Sequence, residues 1–239
     1  MQLPREFNVA TYFIDRNVLD GRGKNVAIEC GEQKVTYAQL LERVNRVGNA
    51  LREYGVRPEE RVVILLPDRP EFLYSFFGAI KIGSIAVPVN TLLRPSEYEY
   101  ILRDTRAAVV IVDESLLGQI QNSLFDKRDR LNHILIVGEA PAGYTSFREV
   151  LERAAPDLAP AATHKDEAAF WLYSSGSTYF PNGSLYGLDV SCAVTILIGA
   201  LRYSNPCSAT SPCRPSRGPR RMREMSSSPE HCFIIISLF

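Results

Sequence analysis

RVVILLPDRPEFLYSFFGAIKIGSIAVPV, Arg61 to Val89, decides the fold, because within 29 residues it reads as a strand, a helix and a second strand. Val62 to Leu66 are five consecutive apolar residues, the mark of a strand buried on both faces, as in a parallel sheet. Pro70 suits the first turn of a helix that runs to Ile82. Phe72, Phe76 and Phe77 recur at helical spacing beside Ile80, which fits a packed core face better than an aromatic substrate wall. Ser84 to Val89 is the returning strand.

The same rhythm extends in both directions. Upstream, Val26 to Cys30 and Lys34 to Tyr37 flank Gly31-Glu32-Gln33, the spacing of a small antiparallel pair. Thr36 is placed to cap a helix from Tyr37 to Tyr54, since Leu40, Val44, Val47 and Leu51 share one face and Gly55 supplies the stop. Downstream, Pro95 to Asp104 reads as a helix, and Val109 to Asp113 and His133 to Gly138 as strands. Phe147 to Arg153 reads as a short helix between two loop or linker stretches, Pro141 to Gly143 and Ala154 to Ala162. Ala169 to Tyr173 is a further strand. Strand and helix in alternation predict an α/β fold, an open sheet covered by helices.

Composition narrows the function classes. The 239 residues are 46% hydrophobic, enough for a sizeable core, and the formal net charge is zero. A neutral chain sets up no global field to recruit nucleic acid or anionic membrane, so small molecules are the expected partners. Met1 to Ala10 has no basic segment followed by an apolar run, and no stretch reaches the length of a membrane span. A cytoplasmic protein is expected; the sequence carries no sign of its oligomeric state.

Chemistry concentrates where the strand ending at Tyr173 runs into Ser174-Ser175-Gly176-Ser177-Thr178. A glycine lets backbone approach an anion, neighbouring amides form a nest, and hydroxyls donate further hydrogen bonds, so phosphate is the natural ligand. The loop is not a Walker P-loop, because Gly176 and Gly183 have the wrong spacing and no Gly-Lys-Ser or Gly-Lys-Thr closes it. On spacing alone, a solvated turn is the competing reading.

The wider sequence favours the phosphate loop. Tyr173 to Thr178, followed by Phe180-Pro181 and Gly183, resembles the signature loop of the adenylate-forming superfamily, which includes acyl-CoA synthetases, luciferases and peptide-synthetase adenylation domains. Thr36-Tyr37, Arg43-Val44-Asn45-Arg46, Phe77 to Lys81, Pro88 to Leu93 and Tyr98-Glu99-Tyr100 resemble the benzoate:CoA ligase branch, as does Phe170 to Tyr173. The resemblance is nearly continuous from Pro4 to Thr178.

It implies the N-terminal subdomain of the adenylate-forming fold, and an acid:CoA ligase of the AMP-forming kind acting on benzoate or a hydroxybenzoate. ATP, Mg2+ and CoA are the implied cofactors and co-substrates. The acid's carboxylate attacks the α-phosphate of ATP, pyrophosphate leaves, and the CoA thiol then attacks the acyl-adenylate. Carried over by position, Ser174, Ser175, Gly176, Ser177, Thr178 and Gly183 contact ATP phosphates, with Thr178 a neighbour of Mg-bound phosphate. Tyr179 stands where the family has a glycine and Asn182 where it has a lysine. Both departures predict weaker ATP handling, by crowding and by loss of a charge-assisted hydrogen bond. The family's later adenine, ribose and magnesium motifs, its acyl pocket and its adenylation lysine have no counterpart here, so no complete catalytic set is expected. A truncated chain, inactive alone, is the implied state, with a non-catalytic remnant or an anion-binding fragment as the alternative.

Residues 1–183 thus form one unit and 184–239 another. After Gly183 there is no Lys, and five prolines and four of the five cysteines fall there. Six arginines against Asp189, Glu224 and Glu230 give a formal charge of +3. That composition fits translation in a wrong frame of a GC-rich gene, or a lineage-specific tail, and predicts disorder. Ala193 to Leu201 is too short to span a bilayer, and Phe233 to Phe239 is an apolar terminal run.

Other conspicuous residues have plainer readings. His133, His164 and His231 lack partners at metal-ligand spacing, and Cys207 and Cys213 fit neither zinc nor redox spacing. Arg214, Arg217, Arg220, Arg221 and Arg223 lack interleaved aromatics, so they read as a solvated basic stretch. Glu97, Glu99 and Asp104 read as salt-bridge partners of Arg103 and Arg106.

Overall fold

The computed structural model describes residues 4–125, 133–174, 182–187 and 232–234. Strands β3 (Arg61–Leu65), β4 (Ile85–Pro88), β5 (Val109–Asp113), β6 (His133–Val137), β7 (Thr145–Ser146), β8 (Ala168–Ser174) and β9 (Asn182–Gly187) make one sheet in the order β7-β6-β5-β3-β4-β8-β9. All neighbours are parallel except β8 and β9, which form an antiparallel pair. The apolar run at Arg61 is therefore the central strand, and alternate residues enter two cores. Val62 and Ile64 join one, Val63 and Leu65 the other.

Helices α1 (Tyr37–Glu53), α2 (Pro70–Lys81) and α5 (Phe147–Arg153) pack on the first face, and α3 (Pro95–Thr105) and α4 (Leu117–Phe125) on the second. In α1 the Thr36 hydroxyl accepts from the Gln39 N–H and the Gln39 side chain accepts from the Thr36 N–H, a reciprocal cap. Gly55 follows with φ +80°, a conformation glycine adopts without strain. In α2, Pro70 occupies the first turn and every residue but Glu71 is buried, so its three phenylalanines are core, as their spacing predicts.

A small second sheet contains the expected antiparallel pair β1 (Val26–Cys30) and β2 (Gln33–Thr36). Its third strand, β10 (Cys232–Ile234), comes from the tail and pairs with the other edge of β1. Of residues 184–239, those described are 184–187, which complete β9, and 232–234, which form β10. Phe233 and Ile234 favour strands, and β1 offers an open edge to pair with. The rest of the tail, including its arginines and Cys192, Cys207 and Cys213, lies outside the described residues. Unforeseen in the sequence are two π-helical turns, Thr11–Asp15 and Val18–Arg22.

The stretch from Ala154 to Ala162, expected as loop or linker, has no regular structure but is strapped to α1. Asn45 donates to the Pro156 carbonyl (2.8 Å), Asn49 to those of Ala155 (2.7 Å) and Asp157 (2.9 Å), and Arg52 to that of Ala159 (3.1 Å). Arg46 donates to the carbonyls of Leu151 and Ala154 at the end of α5. Beyond the strap, Thr163 and Lys165 bond to Phe7 and Arg5 and bring the chain to β8.

Beneath this strap Lys81 is 1% exposed. Its ammonium donates to both Asp15 oxygens, at 2.8 and 2.7 Å, and to the Asn45 side-chain oxygen at 2.8 Å, so all three protons are used.

Candidate functional site

The site is built from β8. Phe170 pairs with Ala86 of β4 in parallel, so Ser174 lies at the carboxyl edge of the sheet, where open α/β sheets bind ligands. Chain returns along β9 with Ser174 opposite Asn182 and Tyr173 opposite Gly183. Of the six residues assigned by resemblance, the backbone of Ser174 and Gly183 is thus held on adjacent strands, one rung apart. Ser175, Gly176, Ser177 and Thr178, and Tyr179 with them, lie outside the described residues.

Side chains of β8 anchor this edge from both faces. Phe170 packs on Phe76, with ring centres 5.7 Å apart. On the opposite face Trp171 stacks on Tyr173 at 5.6 Å, and the Tyr173 hydroxyl donates to Asp104 of α3 at 2.7 Å. Burial raises the Tyr173 hydroxyl above its ordinary titration range, and the Asp104 hydrogen bond and charge add to this. Tyr173 is a neutral donor next to the first residue of the loop. Asp104 is exposed, as expected from the sequence, but its carboxylate meets a phenol from β8 rather than an arginine. Glu97 turns inward along its own chain and accepts from the Arg94 N–H at 2.8 Å.

A second polar cluster on the same edge escapes notice in the sequence. The connection after β3 leads into α2 on one face, while that after β4 leads into α3 on the other, so the chain changes sides between β3 and β5. There Arg69 donates to Asp113 (2.7 Å) and to Glu71 (2.8 Å), while Asp113 also accepts from the amide and hydroxyl of Ser115. Burial opposes the guanidinium's charge, but Glu71 and Asp113 outweigh it and hold Arg69 above its ordinary value. The signal was available, since Arg69 follows β3 and Asp113 ends β5, but only the order of strands makes them neighbours.

His133 packs against Tyr54 with ring centres 4.0 Å apart, and burial lowers its pKa; His164 sits beside Asp166 at 3.5 Å. Among the described residues no three His, Cys, Asp or Glu side chains converge as a metal site, and no helix is long and apolar enough to cross a membrane.

Residues 15–185 match the family of AMP-binding enzymes. The chain is 37% identical over 182 residues to a 4-hydroxybenzoate–CoA/benzoate–CoA ligase of Rhodopseudomonas palustris, covering 76% of this chain and 34% of that protein. It is 38% identical over 187 residues to a benzoate–CoA ligase of Thauera aromatica, covering 78% and 35%. Among solved structures, an anthranilate CoA ligase in complex with anthranoyl-AMP is similar with a TM-score of 0.76 and 38% identity, over 84% of this chain and 39% of that one. A benzoate CoA ligase from Burkholderia xenovorans gives 0.67 and 32%, over 76% and 35%. The chain spans about a third of the length of the curated relatives it matches.

Proposed function

We propose, from the premise that this chain belongs to the AMP-binding enzyme family, that it carries the phosphate-binding part of an ATP-dependent ligase joining an aromatic acid to CoA. The observation that carries the reading is the β8–β9 hairpin: the resembling loop departs from and returns to the carboxyl edge of a parallel sheet. Benzoate or a hydroxybenzoate is the proposed acid, in keeping with the relatives' own substrates. A cytoplasmic location suits these substrates.

In the proposed reaction a carboxylate oxygen attacks the α-phosphorus of ATP and the bond to pyrophosphate breaks, giving an acyl-adenylate. The CoA thiol then attacks the acyl carbon and AMP leaves. Ser174, Ser175, Gly176, Ser177, Thr178 and Gly183 serve the first step by holding the departing phosphates through amides and hydroxyls. Magnesium would arrive on the ATP phosphates and neutralise part of their charge, with Thr178 beside it. Tyr173 and Asp104 fix the backbone from which the loop starts. Residues for the CoA step are not assigned to this chain.

The test is ATP binding by the full chain, measured calorimetrically with magnesium present. Ser177→Ala with Thr178→Val should weaken binding, and Asn182→Lys should strengthen it by about tenfold, the worth of one added charge-assisted hydrogen bond. Benzoate-dependent exchange of pyrophosphate into ATP is expected to be absent from this chain alone. Identical ATP affinity in the parent and both variants would remove the loop from the site.

A further inference from the structure

A second concave site shares no residue with the loop after Ser174. A cleft of about 310 Å3 opens at the carboxyl edge of the sheet, on the face covered by α1, α2 and α5. Its walls include Arg43 of α1, Arg69 and Glu71 at the start of α2, Glu139 just beyond β6, and Phe147 and Arg148 of α5. That volume is at the lower end of the range of small-molecule pockets, roughly 300–1,000 Å3.

The charges in this cleft divide into two sets. Arg69 is paired with Glu71 and Asp113. Arg43 and Arg148 are exposed, and neither has a hydrogen-bond or ion-pair partner among the described residues. The Glu139 carboxylate is also without one, although its own amide donates to Glu114. Two guanidinium groups and a carboxylate therefore face one cavity without meeting across it.

The helices that carry the two free arginines are locked together. One turn along α1 from Arg43, Arg46 pairs with Glu42 and bonds to the Leu151 and Ala154 carbonyls at the end of α5. The distance between Arg43 and Arg148 is thus set by the fold rather than by a ligand, which lowers the cost of ordering on binding. A guanidinium offers a planar fork of donors matched to a carboxylate or phosphate. Phe147 and the buried Tyr74 give the cleft an apolar floor for an organic remainder.

We infer that this cleft is a binding site for a small phosphate- or carboxylate-bearing molecule, clasped between Arg43 and Arg148. The inference stands independently of the nucleotide reading. Inorganic phosphate and malonate are the probes, titrated separately into the 15N-labelled full chain while the Nε–Hε resonances of Arg43 and Arg148 are followed.

Saturable shifts of both resonances in the millimolar range or tighter are expected for at least one probe, and which probe binds distinguishes a phosphate from a carboxylate ligand. Arg43→Gln with Arg148→Gln should weaken that binding by at least about tenfold, as loss of two charged donors requires. Its melting temperature should be unchanged, because both side chains are exposed. The single variants Arg43→Lys and Arg148→Lys keep the charge but lose the fork, and each should bind more weakly than the parent. Equal affinity in parent and variants, or no saturation by either probe, would each overturn the assignment.

Discussion

Replacing Asp15 with alanine removes the one carboxylate that Lys81 meets among the described residues. The ammonium is 1% exposed and bonds to both Asp15 oxygens, so the variant keeps a buried cation with the Asn45 oxygen alone for company. Breaking a buried pair from one side costs about 3–5 kcal/mol, because the remaining charge stays desolvated. For a domain of this size that is a fall in Tm of roughly 6–20 °C. Lys81→Met should cost distinctly less. It leaves behind the Asp15 carboxylate, whose side chain is 17% exposed and can turn to water. Urea titrations of both variants, followed by far-UV circular dichroism, give the two values. Equal losses, or a larger loss for Lys81→Met, would show that the cost does not come from an uncompensated buried charge and would refute the reasoning.

Gly78→Ala sets a Cβ 2.7 and 2.8 Å from Val47 atoms where α2 crosses α1, and should destabilise the fold by about 1–3 kcal/mol, read from the urea midpoint. Tyr173→Phe keeps the stack on Trp171 but loses the bond to Asp104, for a loss of roughly 1 kcal/mol. Trp171 is the single tryptophan of the chain, so its fluorescence reports this change directly. Tyr173 titrates higher folded than unfolded, so its contribution is complete below the ordinary tyrosine value and is lost as pH rises beyond it; the phenylalanine variant should lack that alkaline loss. His133 shifts the other way through burial, so its contribution is present above the ordinary histidine value and is lost as pH falls; His133→Phe should flatten stability between about pH 5 and pH 7.

Much of this architecture follows from short-range pattern. A run such as Val62 to Leu66 has only one way to bury both faces, and Thr36 with Gln39 fixes the start of α1 within three residues. The loop after Tyr173 was legible because hydroxyl residues and glycine in that order carry phosphate chemistry, and because the flanking sequence resembles a known family. What could not be read depends on partners distant in sequence. Arg69 and Asp113 meet only because β5 lies beside β3; Arg43 and Arg148 share a cleft only because α5 packs beside α1. Asp104 is the surface charge it reads as, but nothing local announces the phenol that reaches it from 69 residues away. Lys81 passed for a family feature, its burial invisible until Asp15 and Asn45 close over it.

The strap along α1 carries a dimensional coincidence with consequences for how the sheet is completed. From Asn45 to Arg52 a helix climbs about 10.5 Å, and from Pro156 to Ala159 an extended chain covers roughly 10 Å. Two unlike repeats are therefore in step over this length, and each amide or guanidinium on the helix meets a carbonyl without stretching either partner. Removing one residue between Pro156 and Ala159 would put them out of step by about one extended residue, roughly 3.3 Å. The chain would then either abandon its bonds to α1 or pull β8 along its neighbour by a full residue, turning inward-facing side chains outward. The polar face of α1 thus acts as a gauge of length for β8.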